Sequence, residues 1–205
     1  MPGKHAVAAG FDAAADSYDR MVGLNPGYRH HLRLAADALV AGIDEPEPTL
    51  IDLGCGTGLS TRALLDAAIA RGLTPRIVGV DASPGMLARA RAGDWPGGVE
   101  FVDGRAEQLG ELGLPAADGV LACYLLRNVT DLPATLAAIR AALRPGSPFV
   151  AEDSSVTGFA SVPDLCRAMA ATGFVEIAAR TVPGWQHRIL HVIRARSAPG
   201  LDSEA

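Results

Sequence analysis

Two aspartates and a cluster of glycines stand where they could do chemistry. In Thr49-Leu50-Ile51-Asp52-Leu53-Gly54-Cys55-Gly56-Thr57-Gly58 an apolar run breaks into glycines at alternate positions, just ahead of a helix-like segment. Glycine accepts φ > 0 and has no Cβ, so such a turn lets bare backbone approach a ligand. A helix start beyond it aims unpaired N–H groups at the bound molecule. Asp81 ends a second apolar run, Arg76-Ile77-Val78-Gly79-Val80-Asp81, where a carboxylate can accept both hydroxyls of a ribose.

The spacing narrows the ligand. Dinucleotide sites use G-x-G-x-x-G, whereas this turn reads G-x-G-x-G, with Asp52 two residues ahead of the first glycine. A carboxylate so near the turn repels a pyrophosphate and suits a cation. S-adenosylmethionine carries an ammonium, a sulfonium and a ribose, and is the expected cofactor.

These residues need a frame. From Leu50 onward, short β-branched or apolar runs alternate with helical segments, the pattern of a parallel sheet built from βαβ units. Strands are predicted at Ile51 to Leu53, Arg76 to Asp81, Val99 to Val102, Gly119 to Cys123 and Pro148 to Ala151. Helices are predicted at Leu59 to Ala70, from Ser83 as N-cap with Pro84 at the first position, at Pro133 to Leu143, and at Val162 to Thr172. Two further β runs, Phe174 to Val182 and His187 to Arg196, are broken at Pro183-Gly184 and read as an antiparallel hairpin on one sheet edge. Ahead of the sheet, Phe11 to Met21 and Tyr28 to Val40 carry apolar residues at three- and four-residue steps and predict two amphipathic helices. The expected organisation is an N-terminal helical cover over residues 1–48, a main α/β domain over 49–197, and a disordered tail over 198–205.

Composition excludes several function classes. The chain has 205 residues and a formal net charge of -5, with no run of arginines, which argues against nucleic acid as a partner and for a small molecule. Three scattered cysteines, Cys55, Cys123 and Cys166, show no C-x-x-C spacing, so neither a disulfide framework nor a zinc site is indicated and a cytoplasmic setting is expected. No apolar stretch reaches the roughly 18 residues of a membrane span. His187 and His191, four strand residues apart, would be separated by roughly 13 Å and cannot share a metal; His30 and His31 read as solvated or at a pocket edge. No metal is expected, and nothing in the sequence speaks to oligomeric state.

Four stretches together resemble the class I S-adenosylmethionine-dependent methyltransferases, and among them the ubiquinone/menaquinone-biosynthesis C-methyltransferases. They are Phe11-Asp12-Ala13-Ala14-Ala15-Asp16-Ser17-Tyr18-Asp19, the glycine turn, Val78-Gly79-Val80-Asp81-Ala82-Ser83-Pro84-Gly85-Met86-Leu87, and Arg127-Asn128-Val129-Thr130-Asp131. The resemblance implies a doubly wound, mostly parallel seven-stranded sheet of the Rossmann-like kind, with the antiparallel hairpin at its C-terminal end. It implies cofactor contacts from Asp52, Gly54, Cys55, Gly56, Thr57 and Gly58, from Asp81 at the ribose, from Ala82 or Met86 at the adenine, and from Cys123 at the end of strand four. Tyr18 would sit in the helical cover, shielding the reaction from water. Arg127 and Asn128 would orient a methyl acceptor and stabilise its anion.

Two departures shape the acceptor. Arg105, in Gly104-Arg105-Ala106-Glu107, stands where the family has an aspartate that accepts from adenine; arginine accepts no hydrogen bond, so it is expected to face solvent and leave recognition to the Ala106 N–H. Only Ser154 to Ser161 separates Asp153 from the next helix, where quinone C-methyltransferases carry a sizeable insertion, so the acceptor pocket is expected to be smaller or more open. Asp153 either faces the acceptor or is a solvent-exposed loop carboxylate. The favoured reaction is methyl transfer to a small molecule, with a quinone-like phenolic ring carbon ahead of an O- or N-methyl acceptor. A non-catalytic cofactor-binding protein and a nucleotide-binding oxidoreductase are the readings from other classes.

Overall fold

The computed structural model describes residues 22, 25, 27–154, 161–182 and 190–199. The predicted helix at Phe11 to Met21 with its Tyr18, as well as His187, lie outside the described residues.

The apolar runs become seven strands: β1 (Thr49–Leu53), β2 (Arg76–Asp81), β3 (Val99–Asp103), β4 (Gly119–Cys123), β5 (Pro148–Ser154), β6 (Phe174–Thr181) and β7 (Leu190–Ser197). Among the described residues the helices between and before them are α1 (Tyr28–Val40), α2 (Leu59–Ala70), α3 (Pro84–Arg91), α4 (Leu132–Ala142) and α5 (Val162–Ala171), with short 3-10 turns at Ala106–Glu111 and Leu126–Asn128. The helix starts follow local chemistry. Ser83 Oγ accepts from Met86 N at 3.2 Å ahead of Pro84, and Asp131 Oδ1 accepts from Ala134 N at 2.9 Å ahead of α4.

The strands form one sheet in the order β3-β2-β1-β4-β5-β7-β6. β1 to β5 pair in parallel, and β7 runs antiparallel between β5 and β6. The doubly wound sheet and its edge hairpin are therefore as the sequence implies. β5 continues beyond the predicted Ala151, because β7 pairs with it through Glu152, Asp153 and Ser154. That extension moves two carboxylates from an expected loop onto a strand.

Period-two alternation divides the core. Ile51, Leu53, Val78, Val120, Ala122, Phe149 and Ala151 face α4 and α5, while Leu50, Ile77, Leu121, Cys123 and Val150 face α1 and α2. Both faces are thus covered, as a parallel sheet requires. Strand order reverses between β1 and β4, and crevices of such sheets open at the strand C-terminal ends beside that reversal. Asp52, Asp81, Cys123, Glu152 and Asp153 all come from those ends. Among the described residues no helix is long and apolar enough to cross a membrane.

Candidate active site

The glycine turn is held in an arrangement that other residues resist. Gly54, Gly56 and Gly58 have φ of 77°, 54° and 89°, the left-handed region. Gly54 N and Cys55 N both donate to Val80 O, at 2.7 and 3.1 Å, which seats the turn across the end of β2. A Cβ on Gly58 would lie 2.8 Å from Trp95, whose Nε1 donates to Ala90 O at 2.6 Å and cannot easily withdraw. At Gly56 a Cβ would meet nothing within 4 Å, so the turn is open there on the side from which a ligand would come.

Asp81 closes this turn. Its Oδ2 accepts from Gly56 N at 2.8 Å and its Oδ1 from Ser83 N at 2.9 Å. One carboxylate therefore sets both the glycine turn after β1 and the loop into α3, while each oxygen keeps lone-pair capacity for a ligand hydroxyl. Burial raises its pKa, opposed by the Ser83 and Gly56 N–H groups. Beside it Ala82 is half-buried and Met86 is buried, so of the two residues expected at the adenine only Ala82 presents surface.

Asp52 departs from expectation. It is 0% exposed, and its Oδ2 accepts from Ser60 Oγ at 2.7 Å and Thr61 Oγ1 at 2.6 Å. The carboxylate clamps the first turn of α2 onto β1 instead of lying open to a cation. Burial pushes its pKa up to about 6, against the pull of the two hydroxyls. Its Oδ1 is buried beneath the turn with no partner among the described residues. The open side of Gly56 and the spare capacity of Asp81 fit a ligand that offers hydroxyls, as a ribose does.

Arg105 also differs. Its Nε lies 3.7 Å from Glu107 Oε2, and Glu107 Oε1 accepts from Thr130 N at 3.0 Å and Thr130 Oγ1 at 2.6 Å. The guanidinium is turned toward the carboxylate that pins the loop after β4, with 40% of the side chain still open to solvent. Ala106 is buried at the start of the 3-10 turn. We expect Arg105→Ala to leave S-adenosylhomocysteine affinity nearly unchanged by calorimetry, since the side chain is shared between Glu107 and solvent; a tenfold loss would show that Arg105 touches the cofactor.

The end of β4 gathers the remaining candidates. Cys123 is a buried free thiol, its pKa raised well above the ordinary value first by burial and then by the field of Glu152. Arg127 N donates to Asp153 Oδ2 at 3.1 Å, and Arg127 Nη1 lies 3.6 Å from Asp153 Oδ1. Asp153 is buried, which overturns its reading as a solvent-exposed loop carboxylate. Asn128 Nδ2 donates to Tyr124 O at 2.9 Å. Arg127 and Asn128 thus stand together, whereas Tyr18 lies outside the described residues.

Sequence reasoning missed two residues in this region, Tyr124 and Glu152, and left a third, His31, between solvent and a pocket edge. Tyr124 bridges α1 and the loop after β4, its hydroxyl 3.1 Å from His31 Nδ1. His31 is buried rather than solvated, and burial lowers its pKa. Glu152, opposite Cys123 in the sheet, is 0% exposed, and its carboxylate lies beside the Tyr124 hydroxyl with no oxygen in full hydrogen-bonding geometry among the described residues. Burial, and next the field of Asp153, push its pKa up to about 8. The legible signal for it was an acidic pair, Glu152-Asp153, closing an apolar strand.

Comparison with known proteins agrees with this geometry. Residues 51–149 match the methyltransferase domain family. A malonyl-acyl-carrier-protein O-methyltransferase of Serratia marcescens is 34% identical over 143 residues, 70% of this chain and 50% of that protein. A demethylmenaquinone methyltransferase of Symbiobacterium thermophilum is 33% identical over 157 residues, 71% of this chain and 57% of that protein. The chain thus spans little more than half the length of these curated relatives. The crystal structure of a magnesium protoporphyrin IX methyltransferase from Synechocystis with bound S-adenosylmethionine superposes with a TM-score of 0.74 at 16% identity, covering 97% of this chain and 98% of that one, a likeness of fold.

Proposed function

We propose that the chain, whose residues 51–149 match the methyltransferase domain family, moves a methyl group from S-adenosylmethionine to a small phenolic acceptor, at a ring carbon. The observation that carries this reading is Asp81 bridging Gly56 N and Ser83 N at the open end of the glycine turn. Gly54 to Gly58 would receive the methionine part, with Asp52 fixing the helix start behind the turn, Asp81 the ribose, and Ala82 with the Ala106 N–H the adenine. Bound there, the cofactor supplies a methyl group made electrophilic by its sulfonium.

The chain's own residues then have two tasks. A phenol becomes a carbon nucleophile once its oxygen is anionic, and a fixed cation near that oxygen stabilises the anion. Arg127, held by Asp153, is the cation beside the cofactor end of β4, and Asn128 is placed to fix the ring's orientation. The malonyl-directed and quinone-directed relatives match at nearly equal identity, so relatedness does not choose between O- and C-methylation. Arg127 favours an acceptor that is anionic when it reacts. The short connection between β5 and α5 favours a small one over a long prenylated quinone.

Calorimetry with S-adenosylhomocysteine and NADH tests the cofactor, and formation of S-adenosylhomocysteine over a panel of phenols, amines and carboxylates tests the acceptor. Binding of S-adenosylhomocysteine without NADH, and turnover with a phenol that Arg127→Ala loses, are expected. Binding of NADH instead, or turnover confined to amines, would overturn the reading.

A further inference from the structure

Tyr124 occupies a conformation that a tyrosine does not take without cause. Its φ is +56°, in the left-handed region, at the point where β4 turns into the Arg127 loop. For a residue with a Cβ this costs about 1–2 kcal/mol, and such strain persists only where the surroundings over-determine it. Glycine would hold the same backbone without strain, so whatever retains tyrosine here resides in the side chain.

Among the described residues the side chain is engaged by Tyr28, Arg127, His31 and the Glu152 carboxyl. Its ring stacks on Tyr28 of α1, with centroids 5.1 Å apart and planes 11° from parallel. The Arg127 guanidinium lies over the same ring, Cζ 4.8 Å from its centroid. The hydroxyl meets His31 Nδ1 at 3.1 Å. The backbone adds two more, since Tyr124 N donates to Glu152 O at 2.7 Å and Tyr124 O accepts from Asn128 Nδ2 at 2.9 Å. Ring and carbonyl together therefore hold both Arg127 and Asn128, while hydroxyl and ring fasten that assembly to α1.

We propose that Tyr124 is the positioning residue of the acceptor site, aligning Arg127 and Asn128 against an anionic phenolic acceptor and anchoring them to α1. This rests on the reading of Arg127 and Asn128 as the acceptor-orienting pair. The arrangement has a chemical logic. A guanidinium fixed by a ring beneath it and by Asp153 beside it loses little rotamer entropy when it meets a phenolate.

The test uses 4-nitrophenol as probe, with the whole protein saturated by S-adenosylhomocysteine, reading bound phenolate by visible absorption and nucleotide affinity by calorimetry. The wild type is expected to bind nitrophenolate. Tyr124→Phe keeps the ring and retains that binding. Tyr124→Leu and Tyr124→Gly weaken it by about tenfold, the loss of a partly exposed cation–π contact and of alignment, with S-adenosylhomocysteine affinity unchanged. Because the two residues act as one unit, Tyr124→Leu adds nothing to Arg127→Ala in a double-mutant cycle. Nitrophenolate binding by Tyr124→Leu as tight as wild type, or losses that add in the cycle, would overturn the proposal while leaving the phenolic reading intact. A wild type that binds S-adenosylhomocysteine but not nitrophenolate would overturn that reading, and the proposal with it.

Discussion

Asp81→Ala is expected to weaken S-adenosylhomocysteine binding by at least about a hundredfold, through two losses at once. The substitution removes the acceptor proposed for the ligand's ribose and also the two bonds that shape the turn, from Gly56 N at 2.8 Å and Ser83 N at 2.9 Å. Hydrogen bonds to a charged group contribute about 1.5–3 kcal/mol each, and a hundredfold is about 2.7 kcal/mol. The loss of one ribose contact would reach that range, and a relaxed glycine turn adds to it. Asp81→Asn, with one acceptor oxygen in place of two, should fall between. The fold should survive, since burial already makes the ionised carboxylate unfavourable. Calorimetry decides, and Asp81→Ala binding within threefold of wild type would remove Asp81 from the cofactor site.

The second large effect is on stability. Glu152→Gln is expected to stabilise the protein by about 2–3 kcal/mol at neutral pH and to flatten its pH dependence. The folded-state pKa of about 8 lies above the ordinary value of 4.5, so the folded protein holds a proton that the unfolded chain releases. Stability therefore falls as pH rises from about 4.5 toward 8, and levels off once the folded state also loses the proton. A tenfold change in proton affinity corresponds to about 1.4 kcal/mol, which makes 2–3 kcal/mol a cautious value. Glutamine mimics the protonated acid and carries no such dependence. Urea unfolding of both proteins between pH 4 and 9 should give curves that coincide at the acid end and separate with rising pH. A constant gap across that range would mean that Glu152 is ionised throughout.

The parts of this molecule set by local chemistry were legible in its sequence. Alternating glycines before a helix mark positive φ, Ser83 before Pro84 marks a helix start, and β-branched runs mark strands; each depends on residues a few positions apart. What escaped depends on the sheet bringing distant residues together. Asp52 reads as a ligand for a cation until Ser60 and Thr61 return to it on the first turn of α2. Asp153 reads equally as an acceptor-facing or a loop carboxylate until β7 pairs alongside it. His31 reads as solvated or at a pocket edge until Tyr124, far along the chain, meets it. The strain at Tyr124 leaves no mark in composition, because the tyrosine side chain, not a glycine, repays it.

The position of β7 bears on how the molecule is assembled as it is made. β7 lies between β5 and β6, although both precede it in the chain. While a ribosome is still working toward residue 190, β5 presents an open edge and β6 has no strand to pair with, so two rows of backbone groups wait for one donor. β7 is the wedge that joins them, so the described sheet cannot close before residue 190 is available. Until then Glu152 and Asp153 lack the strand that pairs alongside them, so the end of the crevice where they stand is completed only when the sheet is.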